Sequence, residues 1–312
     1  MKTPNRNSKE NSKSQFHVRV LGSAAGGGLP QWNCGGDNSI RARRGDLSVP
    51  ARSQPSIAVS SDGESWSVIN ASPDIRDQFS KFPGLHPTAG TRDIPLETIC
   101  ITNPDLDHTI GLLILRESLP YKIVSTPWTR DAILKHNACF RLMKSAWTGA
   151  AINESFFLDS GKCLEAQFFA VAGKVPIYLQ ELEINHPEAT VSLRIRDNRT
   201  GKQLVYAPGL KEYNEETMNE LQKADCRFVD GTFFTENELL TLRPDAVPAR
   251  TMGHAPVTGP HGSLERLATL PGRSLYIHMN NTNPMLDSNS GATAEVHKAG
   301  IEIAFDGMEF LV

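Results

Sequence analysis

Short apolar runs with alternating polar positions, each closed by a turn residue, dominate the pattern along this chain and predict strands. His17-Val18-Arg19-Val20-Leu21 alternates and breaks at the glycine-rich stretch Gly22 to Pro30. Gln54 to Ser60 and Ser65 to Asn70 flank Ser61-Asp62-Gly63-Glu64, whose Asp-Gly step predicts a hairpin. Leu96 to Ile101 is apolar enough to be a buried strand. It runs through Thr102-Asn103-Pro104-Asp105-Leu106-Asp107-His108 into a helix-like segment ending near Leu113. Later strands are predicted at Tyr121 to Ser125, Leu164 to Val171, Thr190 to Ile195, Gln203 to Gly209, Cys226 to Thr232 and Leu275 to Ile277.

Helices are announced by their caps. Ser72 as N-cap with Pro73 behind it predicts a helix through about Phe79, and Thr126 before Pro127 predicts one reaching Cys139. Two more are expected from Asn214 to Lys223 and from His261 to Leu270. Hairpins in both halves, strands and helices in turn, and no internal repeat or long linker imply an α/β fold. The expected form is one αββα sandwich over residues 16–312, two mixed β-sheets flanked by helices. Residues 1–15, rich in Lys, Asn and Ser, read as a disordered tail rather than a signal peptide.

Composition removes several function classes. With 312 residues, 39% hydrophobic and 21% charged, the chain is of ordinary globular type. A formal net charge of -3 and a pI near 6.3 supply no basic field for nucleic acid or an anionic membrane. No apolar run reaches the ~20 residues of a bilayer span. Cys34, Cys100, Cys139, Cys163 and Cys226 are scattered and form no CxxC pair, which suits a reduced, cytoplasmic setting. A small molecule or short peptide is the expected partner; a homodimer is open to such a chain, and nothing in the sequence fixes its assembly.

Candidate chemistry gathers at strand exits. Asp107 and His108 sit side by side where the Leu96 strand ends, and His278 stands where the Leu275 strand gives way to Met279-Asn280-Asn281-Thr282-Asn283-Pro284. Together they would make a two-histidine, one-carboxylate metal set with open positions, the pattern of non-haem Fe(II) oxygen chemistry. Residue types favour iron, while spacing leaves a hydrolytic zinc site open. Asp230, at the end of its strand, and His254, in a glycine-containing loop, are further candidates, and the asparagines at 280, 281 and 283 add neutral hydrogen-bonding groups. The glycines at 26, 27 and 28 suit a tight loop at the rim of a site better than a phosphate loop, because the Lys-Ser/Thr ending is missing. Asp74 is accounted for by the helix dipole, and Cys34 alone cannot hold a metal.

Thr102 to Leu113 resembles the THxHxDHxxGL signature of the metallo-β-lactamase superfamily, with Asn103 and Asp105 where the two leading histidines would stand. The stretches Leu21 to Cys34, Asn70 to Ile75, Tyr206 to Leu210, Asp230-Gly231-Thr232, Met252-Gly253-His254, Ile277 to Pro284 and Phe305 to Glu309 are similar to the pyrroloquinoline quinone biosynthesis protein B (PqqB) family. The likeness runs from about residue 17 to 312.

That resemblance implies a metallo-β-lactamase fold and an iron- and O2-dependent hydroxylase. Its substrate would be the tyrosine ring of a Glu-Tyr unit cut from a precursor peptide. It assigns Fe(II) to Asp107, His108 and His278. Residue chemistry adds an expected role for His254 in moving protons or anchoring a phenol, and for Asp230 and Asn280 in orienting the ligands. Family members commonly carry a CxCxxC knuckle for structural zinc after Trp-Asn. Here Cys34 is followed by Gly35, Gly36, Asp37 and Asn38, so a structural zinc lacks its cysteines. Two other readings stand beside the hydroxylase: a zinc hydrolase recruiting Asp105, Asp230 and His254, and a carrier of a quinone precursor that has lost its chemistry.

Overall fold

In the computed structural model, which describes residues 15–87, 90, 92–117, 120–181 and 185–312, the strands sort into two seven-stranded sheets. Residues 1–14, nearly all of the expected tail, lie outside the described residues. The first sheet takes β1 (His17–Gly22), β2 (Ser56–Ser60), β3 (Trp66–Ile69), β4 (Leu96–Cys100), β5 (Lys122–Ser125) and β6 (Trp147–Gly149) in sequence order. The second takes β7 (Ser155–Phe157), β8 (Leu164–Ala170), β9 (Val191–Asp197), β10 (Gln203–Ala207), β11 (Cys226–Asp230), β12 (Arg273–Ile277) and β13 (Glu302–Ile303). The last strand, β14 (Glu309–Leu311), returns to pair with β1 and closes the first sheet's edge.

Each sheet is mixed in the same way. Antiparallel pairing of β1, β2 and β3 gives way to parallel pairing from β3 to β6, and antiparallel pairing of β7 to β10 gives way to parallel pairing from β10 to β13. Facing side chains such as Val18, Ile57 and Ile69 from one sheet and Phe168, Leu193, Phe228 and Leu275 from the other form the inner core. On the outer faces, Val68, Ile99 and Ile123 pack with Phe79, Leu112 and Ile133, while Val205, Val229 and Tyr276 pack with Leu221, Leu267 and Val296. These four layers are the αββα sandwich, and they explain the continuous apolar runs. Strands β2 and β11 are buried on both faces, so neither face needs polar residues.

The caps work largely as the sequence predicts. Thr126 accepts from Thr129 N ahead of the helix Pro127–His136, and Asn214 accepts from Thr217 N ahead of Glu215–Lys223. The helix from Pro127 stops at His136, short of Cys139, where a separate 3-10 turn Ala138–Met143 begins, and three others differ more. The one after Ser72 begins later, at Ile75–Ser80, because Ser72 Oγ takes the Asp74 N–H and donates to Gln78 Oε1 instead of capping a helix. The stretch His261 to Leu270 keeps only Leu264–Ala268, since His261 and Gly259 hold left-handed φ values of 58° and 87° and turn the chain. The segment after Asp105 splits into two single turns, Leu106–Thr109 and Gly111–Ile114. Among the described residues no helix is long and apolar enough to cross a membrane.

Gly111 is the reason for that split. Its N–H donates to Ala71 O at 2.9 Å, and a Cβ built on it would lie 2.3 Å from Ser72 O. Replacing Gly111 with Ala therefore forces backbone apart three residues after His108. The expected result is a loss of about 1–3 kcal/mol in urea unfolding; a midpoint equal to that of the parent protein would show that the segment yields freely.

Candidate metal centre

Four residues of the centre leave the carboxyl ends of parallel strands, and His254 joins them from the loop after the 3-10 turn Ala249–Met252. Asp107 and His108 lie on the short turn that follows β4, Asp230 is the last residue of β11, and His278 follows β12 directly. The two sheets are stitched together at this end: Ala25 N donates to Met279 O at 2.8 Å and Val191 N to Thr102 O at 3.0 Å. Asp107, His108 and His278 thus meet with their ligand atoms all within 4.8 Å of one another, and a second trio, Asp230, His254 and His278, meets the same criterion. His278 belongs to both and adopts a left-handed φ of 64°, a conformation that costs a non-glycine residue ~1–3 kcal/mol and concentrates at functional sites.

Hydrogen bonding decides which nitrogens can bind a metal. His108 Nδ1–H donates to Asn103 Oδ1 at 2.6 Å, so the lone pair sits on Nε2. That Nε2 is buried and has no hydrogen-bond partner, a deficit of ~1–3 kcal/mol that a bound cation removes. On the other side, Asp230 Oδ2 accepts from Leu210 N at 2.8 Å, and Oδ1 accepts from Thr232 N at 2.9 Å and from the Thr232 hydroxyl at 2.6 Å. With its proton given to Asp230, Thr232 Oγ1 accepts from His278 Nδ1 at 2.8 Å. His278 Nε2 is therefore also left to a metal, and it points at Asp107 Oδ2, 3.3 Å away. His254 Nδ1 donates to Asp230 Oδ2 at 2.7 Å, which makes the second trio a hydrogen-bonded support for His278.

Electrostatics follow the same division. Burial would raise the Asp107 carboxyl, but His108 and His278 outweigh it and hold the group well below the usual carboxylate range. Burial opposes charge on His278 too, yet the hydrogen bond and charge of Asp107 win and raise it. Burial pushes His108 down to about 4. Asp230 stays low despite burial because of His254, His278 and the Leu210 N–H. The Asp105 carboxyl, outside both trios, is raised by burial and by the charge of Asp107.

The surrounding residues fall into place around this core. Gly26 backs Asp107, since a Cβ added there would sit 3.4 Å from Asp107 Oδ2, so the glycine stretch does form a rim. Asp74 holds that rim rather than a metal: its Oδ2 accepts from Gln54 N at 2.8 Å, and Gln54 Oε1 accepts from Gly27 N at 3.0 Å. Asn280 contributes through its backbone N–H to Thr232 O, while its side chain donates to Thr282 Oγ1. Asn283 Nδ2 donates to Gly231 O at 2.7 Å, so the asparagine run braces the loop that carries Thr232. Cys34 belongs to no metal-competent cluster among the described residues. Asn103 and Thr232 are the two working residues that residue-type reasoning passes over. The available signal was their spacing, five residues before His108 and two after Asp230.

The Beta-lactamase superfamily domain model matches residues 65–279. Coenzyme PQQ synthesis protein B of Pseudomonas paraeruginosa is 40% identical over 301 residues, covering 94% of this chain and 99% of that protein. The chain belongs to the PqqB family. The family's Methylococcus capsulatus member is 38% identical over 302 residues, with 95% and 99% covered. A crystal structure of Zn(2+)-bound PqqB from Methylobacterium extorquens matches with a TM-score of 0.89 at 38% identity, covering 94% of this chain and 99% of that one. A diphosphatase of the PhnP family, at a TM-score of 0.64 and 19% identity, shares the fold.

In this PqqB-family centre, Asn103→Ala and Thr232→Val each remove the bond that fixes an imidazole. The expected loss is ~10 to 100-fold in Zn(2+) affinity by chelator competition with folding retained. Unchanged affinity in either variant removes that residue from the centre. Metal affinity should also fall on acidification. His278, with its raised pKa, must release a proton before it can bind, so affinity drops ~tenfold per pH unit below that pKa. His108, neutral down to about 4, adds to the slope only near that pH. A titration flat from neutral to acid pH would contradict this assignment.

Proposed function

We propose that this protein is an iron- and O2-dependent hydroxylase of a tyrosine-derived substrate in pyrroloquinoline quinone biosynthesis. Membership of the PqqB family ties the chain to that biosynthesis, and the fold is that of the metallo-β-lactamases. The observation that carries the finer reading is the donor set: one carboxylate and two imidazoles, with the buried Nε2 of His108 unpartnered. Asp105, which replaces a signature histidine, lies outside the trios, so the protein atoms present suit one ion with open positions.

Asp107, His108 and His278 would hold the ion, and Fe(II) bound there supplies the one-electron chemistry that O2 activation requires. The chain's own residues do the rest. Asn103 fixes the His108 ring and Thr232 fixes the His278 ring, each by accepting from Nδ1. His254 keeps its Nδ1 proton on Asp230, which leaves Nε2 as the base for a phenol proton. The ring lies nearly parallel to His278, with centroids 5.4 Å apart and planes at 23°, which sets this base beside the trio.

A second reading, zinc-dependent hydrolysis, is favoured by the Zn(2+)-bound relative. It would have to draw Asp230 and His254 into a second ligand set, away from the hydrogen bonds they make to each other and to Thr232.

Protein loaded with Fe(II) without oxygen and then given air and a tyrosine-containing peptide should yield a product one oxygen atom heavier, seen by mass spectrometry. His278→Ala should abolish both metal retention and product. Ester or phosphodiester cleavage by zinc-loaded protein without O2, with no oxygenated product from the iron form, would establish the second reading instead. His254→Ala should keep its metal and lose ~10² to 10⁴ of the rate; turnover at the parent level would exclude His254 from proton transfer.

A further inference from the structure

One charged side chain at the edge of the centre, Lys174, has no bonded partner for its ammonium among the described residues. The segment between β8 and β9 is pinned to the fold: Val175 and Leu179 are buried against Ala132 and Ala189, and Thr190 Oγ1 donates to Lys174 O at 3.0 Å. The Tyr178 hydroxyl donates to Pro104 O at 2.6 Å, tying the segment to the residue before Asp105. From this frame the half-buried Lys174 lays its stem over Gly253, where an added Cβ would lie 3.2 Å from Cγ, 3.3 Å from Cδ and 3.5 Å from Cε. Gly253 has a left-handed φ of 96° and directly precedes His254, so the stem runs along the edge of the site.

The ammonium and the Asp105 carboxyl act on each other through space. The ammonium makes no hydrogen bond or ion pair with any described residue. Burial works against its charge, an arrangement unfavourable in isolation and relieved by a bound anion. A lysine free to move would carry its head out to water. Here the pinned backbone and the packed stem hold it beside the residues that flank the ligand set.

We propose that Lys174 is the anion-recognition residue of this centre: its ammonium takes a carboxylate of the substrate, so that the site selects a tyrosine-bearing acid over its neutral amide. This rests on the hydroxylation of a tyrosine unit proposed above. The carboxylates of Asp105 and Asp107 by themselves repel an acidic ligand. Lys174 offsets Asp105, as the metal cation offsets Asp107.

The test is binding, which needs no turnover. Zinc-loaded full-length protein is titrated calorimetrically with N-acetyl-tyrosine and with N-acetyl-tyrosinamide, which differ only in the carboxylate. The parent protein should prefer the acid by about tenfold or more. Lys174→Met keeps the stem over Gly253 and should erase the preference by weakening the acid alone, while Lys174→Arg should restore it in part. Melting temperatures confirm that the variants fold. A preference that survives Lys174→Met, or none in the parent protein, overturns the proposal. Product formation by the iron-loaded parent, measured separately, reports on the hydroxylase reading, so the two can fail independently.

Discussion

The carboxylate of Asp230 organises the centre from outside the Asp107, His108 and His278 trio. Buried at the end of β11, it accepts from two backbone N–H groups, the Thr232 hydroxyl and His254 Nδ1. Because an ionised carboxylate can only accept, each neighbour must turn its proton inward. Thr232 is then obliged to accept from His278, and the free nitrogen of His278 is set by a group it never touches through that atom. A neutral amide here would set its NH2 against a backbone N–H, whichever way it turned, and so lose the order of the protons.

The sandwich makes this wiring possible at the seam of its two halves. His278 and Asp107 come from opposite sheets, and each follows the carboxyl end of a parallel strand, where side chains leave the sheet toward a shared opening. The bonds from Ala25 to Met279 and from Val191 to Thr102 lock the seam within a few residues of the ligands. The strained φ of His278 persists under this constraint, because Met279 on one side and Ile277 on the other are both committed to pairing.

Much of this could be read from the sequence, and what could not has a common cause. Continuous apolar runs such as Leu96 to Ile101 disclosed the buried strands, and Thr126 and Asn214 disclosed their helices, because burial and capping act within a few residues. Asp107, His108 and His278 stood out because each follows such a run. Thr232 did not, since its spacing of two residues past Asp230 was visible but its bonding partner was not. Its role arises only when His278 arrives from 46 positions away. The short turns around Gly111 were equally hidden, since the cause lies in the backbone of Ala71 and Ser72. The helix expected from His261 failed for a local reason that was available: glycines at 259 and 262 surround a histidine with positive φ.

The two replaced positions of the signature, Asn103 and Asp105, each act on the residues that remain. Where the signature has a histidine, Asn103 turns its carbonyl on His108 Nδ1 and the Asp105 N–H, at 2.6 and 3.2 Å, and so becomes a splint for the His108 imidazole. An acid at position 105 cannot copy a neutral imidazole, because its charge meets that of Asp107 in a buried setting and is driven toward protonation. Both exchanges disfavour a second cation and leave the His108 ring rigidly held. On the hydroxylase reading proposed above, Lys174 and His254, neighbours at the edge of this centre, are the side chains left to select among substrates.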